Sequence, residues 1–307
     1  MKPALFMMAA SALFALMGVC VKLASTEYSA GETVLYRSLI GLALMAGLLR
    51  GRGISWRTTV PAMHFWRAAC GTTALCLWFY ALGALPLATA MTLNYMSSVW
   101  IALFLIGGAV LAGPDEAAMR RGPDGRLIAA VLVGFAGVAL ILRPTVDQNQ
   151  LWGGLIGLLS GIVAALAYLQ VTALGRIGEP GERVVFYFSL GGCVAGLGLT
   201  LASGGLHAHS ARGVGLLLAI GLLATAAQWL MTHAYATGAT LGIAALQYLG
   251  IVYAFGLGVW LFNDPVTPLA LAGMALIIVA GVTATLLSGR SRAAAAAVAV
   301  SVAPTES

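Results

Sequence analysis

Ten times along the chain, about twenty residues pass with scarcely a charge, and this recurrence restricts the possible folds more than any motif does. The runs lie at approximately 4–24, 33–49, 63–83, 87–112, 127–143, 152–174, 184–203, 213–236, 241–262 and 267–288. Each is long enough to cross a bilayer as a helix. All are too long and too uniformly apolar for the alternation of a barrel strand. Of 307 residues, 61% are hydrophobic and only 8% charged, against about 25% charged in an ordinary soluble domain. Such a chain cannot cover a water-facing surface. The expected fold class is an all-α integral membrane protein with ten transmembrane helices.

The net charge of +6 does not point to nucleic acid, because the basic residues are scattered through short connections. Their distribution follows membrane topology. With a cytoplasmic N-terminus, the inner loops and helix ends hold Lys2, Arg50, Arg52, Arg57, Arg67, Arg120, Arg121, Arg126, Arg176, Arg183, Arg290 and Arg292. The outer ones hold Lys22, Arg37, Arg143 and Arg212. That bias places both termini in the cytoplasm. The run from Pro3 to Ala24 is too long for a signal-peptide core and is expected to remain as the first helix. The longest loop runs from Gly113 to Arg126, and residues 291–307 are expected to be a disordered cytoplasmic tail. Cys20, Cys70, Cys76 and Cys193 fall inside apolar segments without metal spacing and are read as small apolar residues.

The chain also repeats itself. Tyr80-Ala81-x-Gly83-Ala84 returns as Tyr235-Ala236-x-Gly238-Ala239, and Leu93-Asn94-Tyr95 as Leu246-Gln247-Tyr248. Glu32-x-Val34 returns as Glu182-x-Val184, Tyr36-x-Ser38-Leu39 as Tyr187-x-Ser189-Leu190, and Ala136-Gly137-Val138 as Ala280-Gly281-Val282. Ser11 and Ala15 align with Ser160 and Ala164. The expected halves are 1–146 and 147–290, with five helices each. An odd number of spans makes the second half enter from the opposite side, giving two inverted five-helix repeats.

A buried amide in hydrocarbon is costly without a partner. Asn94 and Gln247 occupy matched places, each beside a tyrosine, and are expected to face each other across the axis between the halves. Around them the candidate substrate-binding residues are Trp78 in the third segment, Asn94, Tyr95, Ser97 and Ser98 in the fourth, and Tyr168 in the sixth. Gln228 and Trp229 in the eighth and Gln247 and Tyr248 in the ninth complete the set. Aromatic faces with amides and hydroxyls suit an amphipathic solute. Trp56, Trp66, Trp152 and Trp260 lie near segment ends and are assigned to the interfacial belt. Lys22, Arg37 and Arg67 stand near segment ends and are expected to snorkel; Arg37 and Lys22 could otherwise recruit an anion at the outer mouth. No basic residue is then expected to face the chamber, which disfavours nucleotide-sugar cargo. No carboxylate stands in mid-segment to carry a proton, and His233 is the only deep titratable candidate. No phosphate-binding loop is present. The pair His207 and His209 lacks acidic neighbours in sequence, so no catalytic residue, metal site or cofactor is assigned and an enzyme, such as a lipid-modifying transferase, is not expected. Stripes of small residues at Gly153, Gly157 and Gly161, and at Gly192 and Gly196, are expected to let helices approach closely.

The five-plus-five pattern and the paired segments YALGALPLATAMTLNY and GATLGIAALQY resemble the drug/metabolite transporter superfamily, in particular the EamA-type branch and its bacterial amino-acid exporters, the aromatic amino-acid exporters among them. The resemblance covers roughly residues 4–288. It implies an inner-membrane carrier that exports amino acids and similar amphipathic metabolites by alternating access. Many relatives carry Gly-Glu near the ends of the fourth and ninth helices, where this chain has Gly113-Pro114-Asp115-Glu116 and Asn263-Asp264-Pro265. Without a mid-membrane carboxylate, uniport-like movement is expected; a proton-coupled exporter of drugs or other metabolites is the alternative. The expected partners are a small-molecule substrate and the lipid bilayer, with no nucleic acid, and the chain acting as a monomer or weak oligomer.

Overall fold

The computed structural model describes residues 2–101, 148–238 and 246–280, with 103, 104, 129, 132–134, 136, 137, 140, 243, 282 and 283 as isolated positions. Most of the fifth apolar run, the Gly113–Arg126 loop with its Gly-Pro-Asp-Glu sequence, and the tail lie outside the described residues. Every regular element described is a helix. In order these are α1 (Lys2–Ala24), α2 (Ala30–Gly51), α3 (Pro61–Ala84), α4 (Leu87–Tyr95), α5 (Gln148–Arg176), α6 (Gly181–Ala202), α7 (Ala211–Thr237), α8 (Leu249–Phe262) and α9 (Pro268–Ala280). Five stretches, within α1, α2, α5, α6 and α7, are long and apolar enough to cross a membrane. A helix satisfies its own backbone, which lipid cannot do for it.

Polar punctuation sets the helix starts. Ser29 Oγ accepts from Glu32 N at 3.2 Å while Glu32 Oε2 accepts from Ser29 N at 3.1 Å, a reciprocal cap that opens α2. Pro61 opens α3, where its missing N–H is no loss. Ser210 Oγ takes the N–H of Gly213 at the start of α7.

The helices pair between the two halves of the chain. α1 lies along α7, α3 along α5, α2 along α6, and α4 contacts α5 and α8. The glycine stripe of α5 faces the end of α3 and α4: a Cβ at Gly161 would lie 2.7 Å from the carbonyl oxygen of Leu93. Gly196 brings α6 equally close to the backbone of Leu35 on α2.

Two of the expected continuous spans are interrupted. The fourth run breaks at Met96, directly after Asn94-Tyr95, and helix resumes from Ser97. The ninth run turns at Gln247-Tyr248 before α8 begins. Neither break contains glycine or proline. At the first, the Ser98 hydroxyl bonds the carbonyl of Tyr95 at 3.2 Å, an alternative to the helical ladder. At the second, Gly250 N and Ile251 N reach back only three residues, to Gln247 O and Tyr248 O. The two breaks touch: a Cβ at Gly250 would meet the Tyr95 hydroxyl at 2.7 Å.

Ionic ties gather at the helix ends. At one end of the bundle Glu32 accepts from the backbone of His207 at 2.7 Å and contacts its ring, and Tyr36 meets His209 at 2.6 Å. Lys22 pairs with Asp264 at 3.0 Å at that same end. At the other end Glu182 binds Arg52 and accepts from the Trp229 indole at 3.2 Å. Glu179 there gathers His64, Arg183 and Thr58. Trp56, Trp66, Trp152 and Trp260 are exposed.

Candidate functional site

A cavity of about 50 Å³ lies between α1, α2, α3, the end of α4, α5, α6 and α7. Of the sequence-derived candidates, it brings together Trp78, Asn94, Tyr168 and Gln228. Phe14 and Phe188 add apolar walls. Pockets that hold small molecules usually measure roughly 300 Å³ or more, so this cavity is small by that measure.

Arg37 and Arg67 also line it. This corrects the expectation that both snorkel and that no cation faces the chamber. Arg37 is 4% exposed and Arg67 2%. Each stands about two turns in from its helix start, roughly 10 Å deep, and neighbouring helices cover it there. Both contact the ring of Phe188 on α6. The Arg37 guanidinium carbon is 4.8 Å from the ring centroid and that of Arg67 4.3 Å, so the two are within about 9 Å of each other. Like charges at that range repel by roughly 2 kcal/mol in a partly polar interior. Gly71 clears the space for Arg67, whose Nη1 would collide with a Cβ there. Sequence held one signal for this: a glycine four residues after an arginine, on the same helix face.

The matched amides do not bond each other. Asn94 Nδ2 donates to Ser160 Oγ on α5 at 2.9 Å, and Gln247 Nε2 donates to Tyr235 Oη at 3.0 Å. Ser11, the repeat partner of Ser160, in turn donates to the carbonyl of Leu246 at 3.5 Å. Tyr168 stacks on Tyr235 with centroids 5.1 Å apart. Tyr95, Ser97, Ser98, Gln247 and Tyr248 are buried beside the helix breaks, not on the cavity wall.

Trp229 belongs to the end of the bundle instead. It bonds Glu182, and its ring lies 4.3 Å from that of His233 and 5.8 Å from the Arg52 guanidinium. His233 stands there too, its Nδ1 2.9 Å from the Trp229 carbonyl and its Nε2 3.6 Å from Glu182. Lys22 does not snorkel freely but is held by Asp264. His207 is not without acid, since Glu32 contacts it across the fold. Nor do Glu32 and Glu182 sit in open water; both are buried. Among the described residues no cluster of three or more His, Cys, Asp or Glu could hold a metal ion.

No family model matches the sequence. A curated relative does: the pseudopaline exporter CntI of Pseudomonas aeruginosa is 32% identical over 272 residues, 88% of this chain and 91% of its own. A riboflavin transporter of Rhizobium johnstonii is 30% identical over 180 residues, 59% of this chain and 55% of its own. A solved crystal structure superposes with a TM-score of 0.65 over 94% of this chain and 98% of its own, at 20% identity, which shows a shared fold. With about nine-tenths of both chains aligned, this chain belongs to the transporter family that includes the pseudopaline exporter.

Proposed function

We propose that the protein is a bacterial inner-membrane carrier that exports amino acids and similar small amphipathic metabolites by alternating access, with the cavity as its cargo chamber. The carrying observation is that cavity: aromatic rings, amides and two buried guanidinium groups meet between helices from both halves of the chain. It is the mixture an amphipathic solute requires. Relatives named as a pseudopaline exporter and a riboflavin transporter support small-molecule transport.

The reading includes ten spans in two inverted EamA-type halves, 1–146 and 147–290, with both termini cytoplasmic. Exchange of contacts between the halves supports it. α1 with α7 is the repeat counterpart of α5 with α3. Ser38 of α2 crowds Gly192 of α6, and its repeat partner Ser189 of α6 crowds Gly41 of α2. The matched breaks after Asn94-Tyr95 and at Gln247-Tyr248 resemble the discontinuous helices that transporters use around a central site.

Uniport-like movement down the cargo gradient remains the expected mode. Proton coupling is the second reading, favoured by buried Glu32 and Glu182, each contacting a histidine. Proteoliposome counterflow with a panel of radiolabelled amino acids tests the carrier reading. Exchange of at least one solute above empty vesicles is expected, and none across the panel sinks the amino-acid assignment. Net accumulation driven by an imposed pH gradient would remove the uniport mode.

A further inference from the structure

Other charged groups buried or partly buried in the described structure have counter-ions: Glu32 has His207, Glu182 has Arg52, Glu179 has Arg183 and Lys22 has Asp264. Among the described residues Arg37 and Arg67 have none. Nε and Nη1 of both guanidiniums are buried with no hydrogen-bond partner. A buried charge without a partner is strongly unfavourable, because removal from water is not offset by a bond. The face of Phe188 relieves part of that cost through the ring quadrupole but leaves the N–H edges free.

The rest of the cavity wall has the same bias. The buried, unpartnered polar atoms of its lining are Nε and Nη1 of each arginine, Trp78 Nε1 and Gln228 Nε2. All of them are N–H donors. No lining carboxylate competes for them. Asn94, Gln228 and Tyr168 bring acceptor oxygens to the lining, but its buried, unpartnered groups are donors, two of them cationic forks, and these are complementary to acceptor oxygens carrying negative charge.

We propose that Arg37 and Arg67 form an anion subsite in the cavity and that the cargo carries at least one carboxylate, which it places against these guanidiniums. The inference rests on the cavity being the cargo chamber and adds the chemical class of what enters it. Two cations within about 9 Å favour a dicarboxylate over a monocarboxylate. The repeat deepens the point. Arg37 and Phe188 are matched positions in the two halves, following Tyr36 and Tyr187. Where α2 carries Arg37, α6 supplies the ring that covers it, so the subsite is an asymmetry in a repeated frame.

The test uses the full-length protein in nanodiscs, with glutarate as the probe and glutaramide as its uncharged counterpart of similar size. Binding is read by thermal stabilisation and by the part of the tryptophan fluorescence change that is lost in W78F, since Trp78 lines the cavity. Glutarate is expected to bind at least tenfold more tightly than glutaramide, and R37Q or R67Q to remove that preference while R67K keeps part of it. Should the glutamine variants fail to accumulate, G71A serves instead, since its methyl displaces the Arg67 guanidinium without removing the charge; it too should weaken glutarate selectively. Equal binding of the two probes by wild type, or a preference that survives in every variant, overturns the subsite. Sodium chloride at matched ionic strength giving the same arginine-dependent shift would mark a simple halide site and overturn the carboxylate assignment. Glutarate binding that depends on the arginines alongside no counterflow of any solute leaves the subsite standing and fails the carrier reading.

Discussion

Ser160 accepts a hydrogen bond from the Asn94 amide, Nδ2 to Oγ at 2.9 Å, and donates its own O–H to the carbonyl of Gly157 at 2.6 Å. The bond joins the break after α4 to the middle of α5, helices from opposite halves of the chain. Replacing Ser160 by Ala leaves the buried Asn94 donor unsatisfied and should cost about 1 kcal/mol in thermal unfolding. Asn94→Leu removes the cavity's amide as well, so counterflow should fall at least tenfold while the folded protein still accumulates. Counterflow at the wild-type rate in Asn94→Leu would assign the residue to helix contact alone.

Close approach gives a sharper contrast. Gly161→Ala places a methyl 2.7 Å from the Leu93 carbonyl oxygen and 3.0 Å from that of Asn94, and backbone cannot turn aside. The expected loss is about 1–3 kcal/mol. Gly215→Ala on α7 meets nothing within 4 Å. Removing a helix-interior glycine there should leave stability unchanged or raise it by up to about 1 kcal/mol. The unfolding midpoint of Gly161→Ala should therefore fall while that of Gly215→Ala holds or rises, and a common loss would show that glycine acts through something other than close approach.

The two chamber tryptophans expected from sequence should separate. Trp78 lines the cavity, whereas Trp229 bonds Glu182 at the bundle's end. Trp78→Ala should reorder a panel of substrates in counterflow. Trp229→Ala should change the rate for all of them without changing their order, because it loosens the Arg52–Glu182 tie. A reordered panel in Trp229→Ala would return that residue to the cargo site.

Glu179 gives a pH dependence with a definite sign. Burial works to raise its carboxyl, but bonds from His64, Arg183 and Thr58 outweigh burial and hold it below the usual carboxylate range. A folded-state value below the unfolded one contributes stability that is present above the unfolded value and is lost as pH falls through the folded one. Wild-type melting temperature should thus drop on acidification below about pH 4.5, near the ordinary glutamate value. Glu179→Gln should melt lower at neutral pH and show a shallower acid limb. Parallel acid limbs in the two proteins would remove Glu179 from the account.

Membrane class was legible because twenty apolar residues have few fates. The helix starts were signalled but not read: Ser29-x-x-Glu32 and Pro61 open α2 and α3 a few residues before the apolar runs begin at 33 and 63. Arg37 and Arg67 were not legible in the same way. About two turns from a helix end, an arginine can reach the headgroups or stay buried, and the choice lies with whichever helix covers it. Phe188, which covers both, is more than a hundred residues away in sequence. The partners of Asn94 and Gln247 were missed for a related reason. Matched positions predict equivalent surroundings, which is weaker than mutual contact, and each amide found a hydroxyl on another helix. The helix breaks carry no glycine or proline to announce them.

Asp264 takes the backbone N–H of Leu87 at 2.8 Å with one carboxylate oxygen while the other holds Lys22, so the first turn of α4 is capped from 177 residues downstream. Proline at 86 supplies no side-chain cap of its own. A ribosome that has made the first half has therefore delivered α4 to the bilayer with its leading amides unfinished, and they stay so until the chain has grown past Asn263. The start of α4 is thus completed by a residue the ribosome adds long after α4 itself, so this helix acquires its cap only when the later sequence has folded against it.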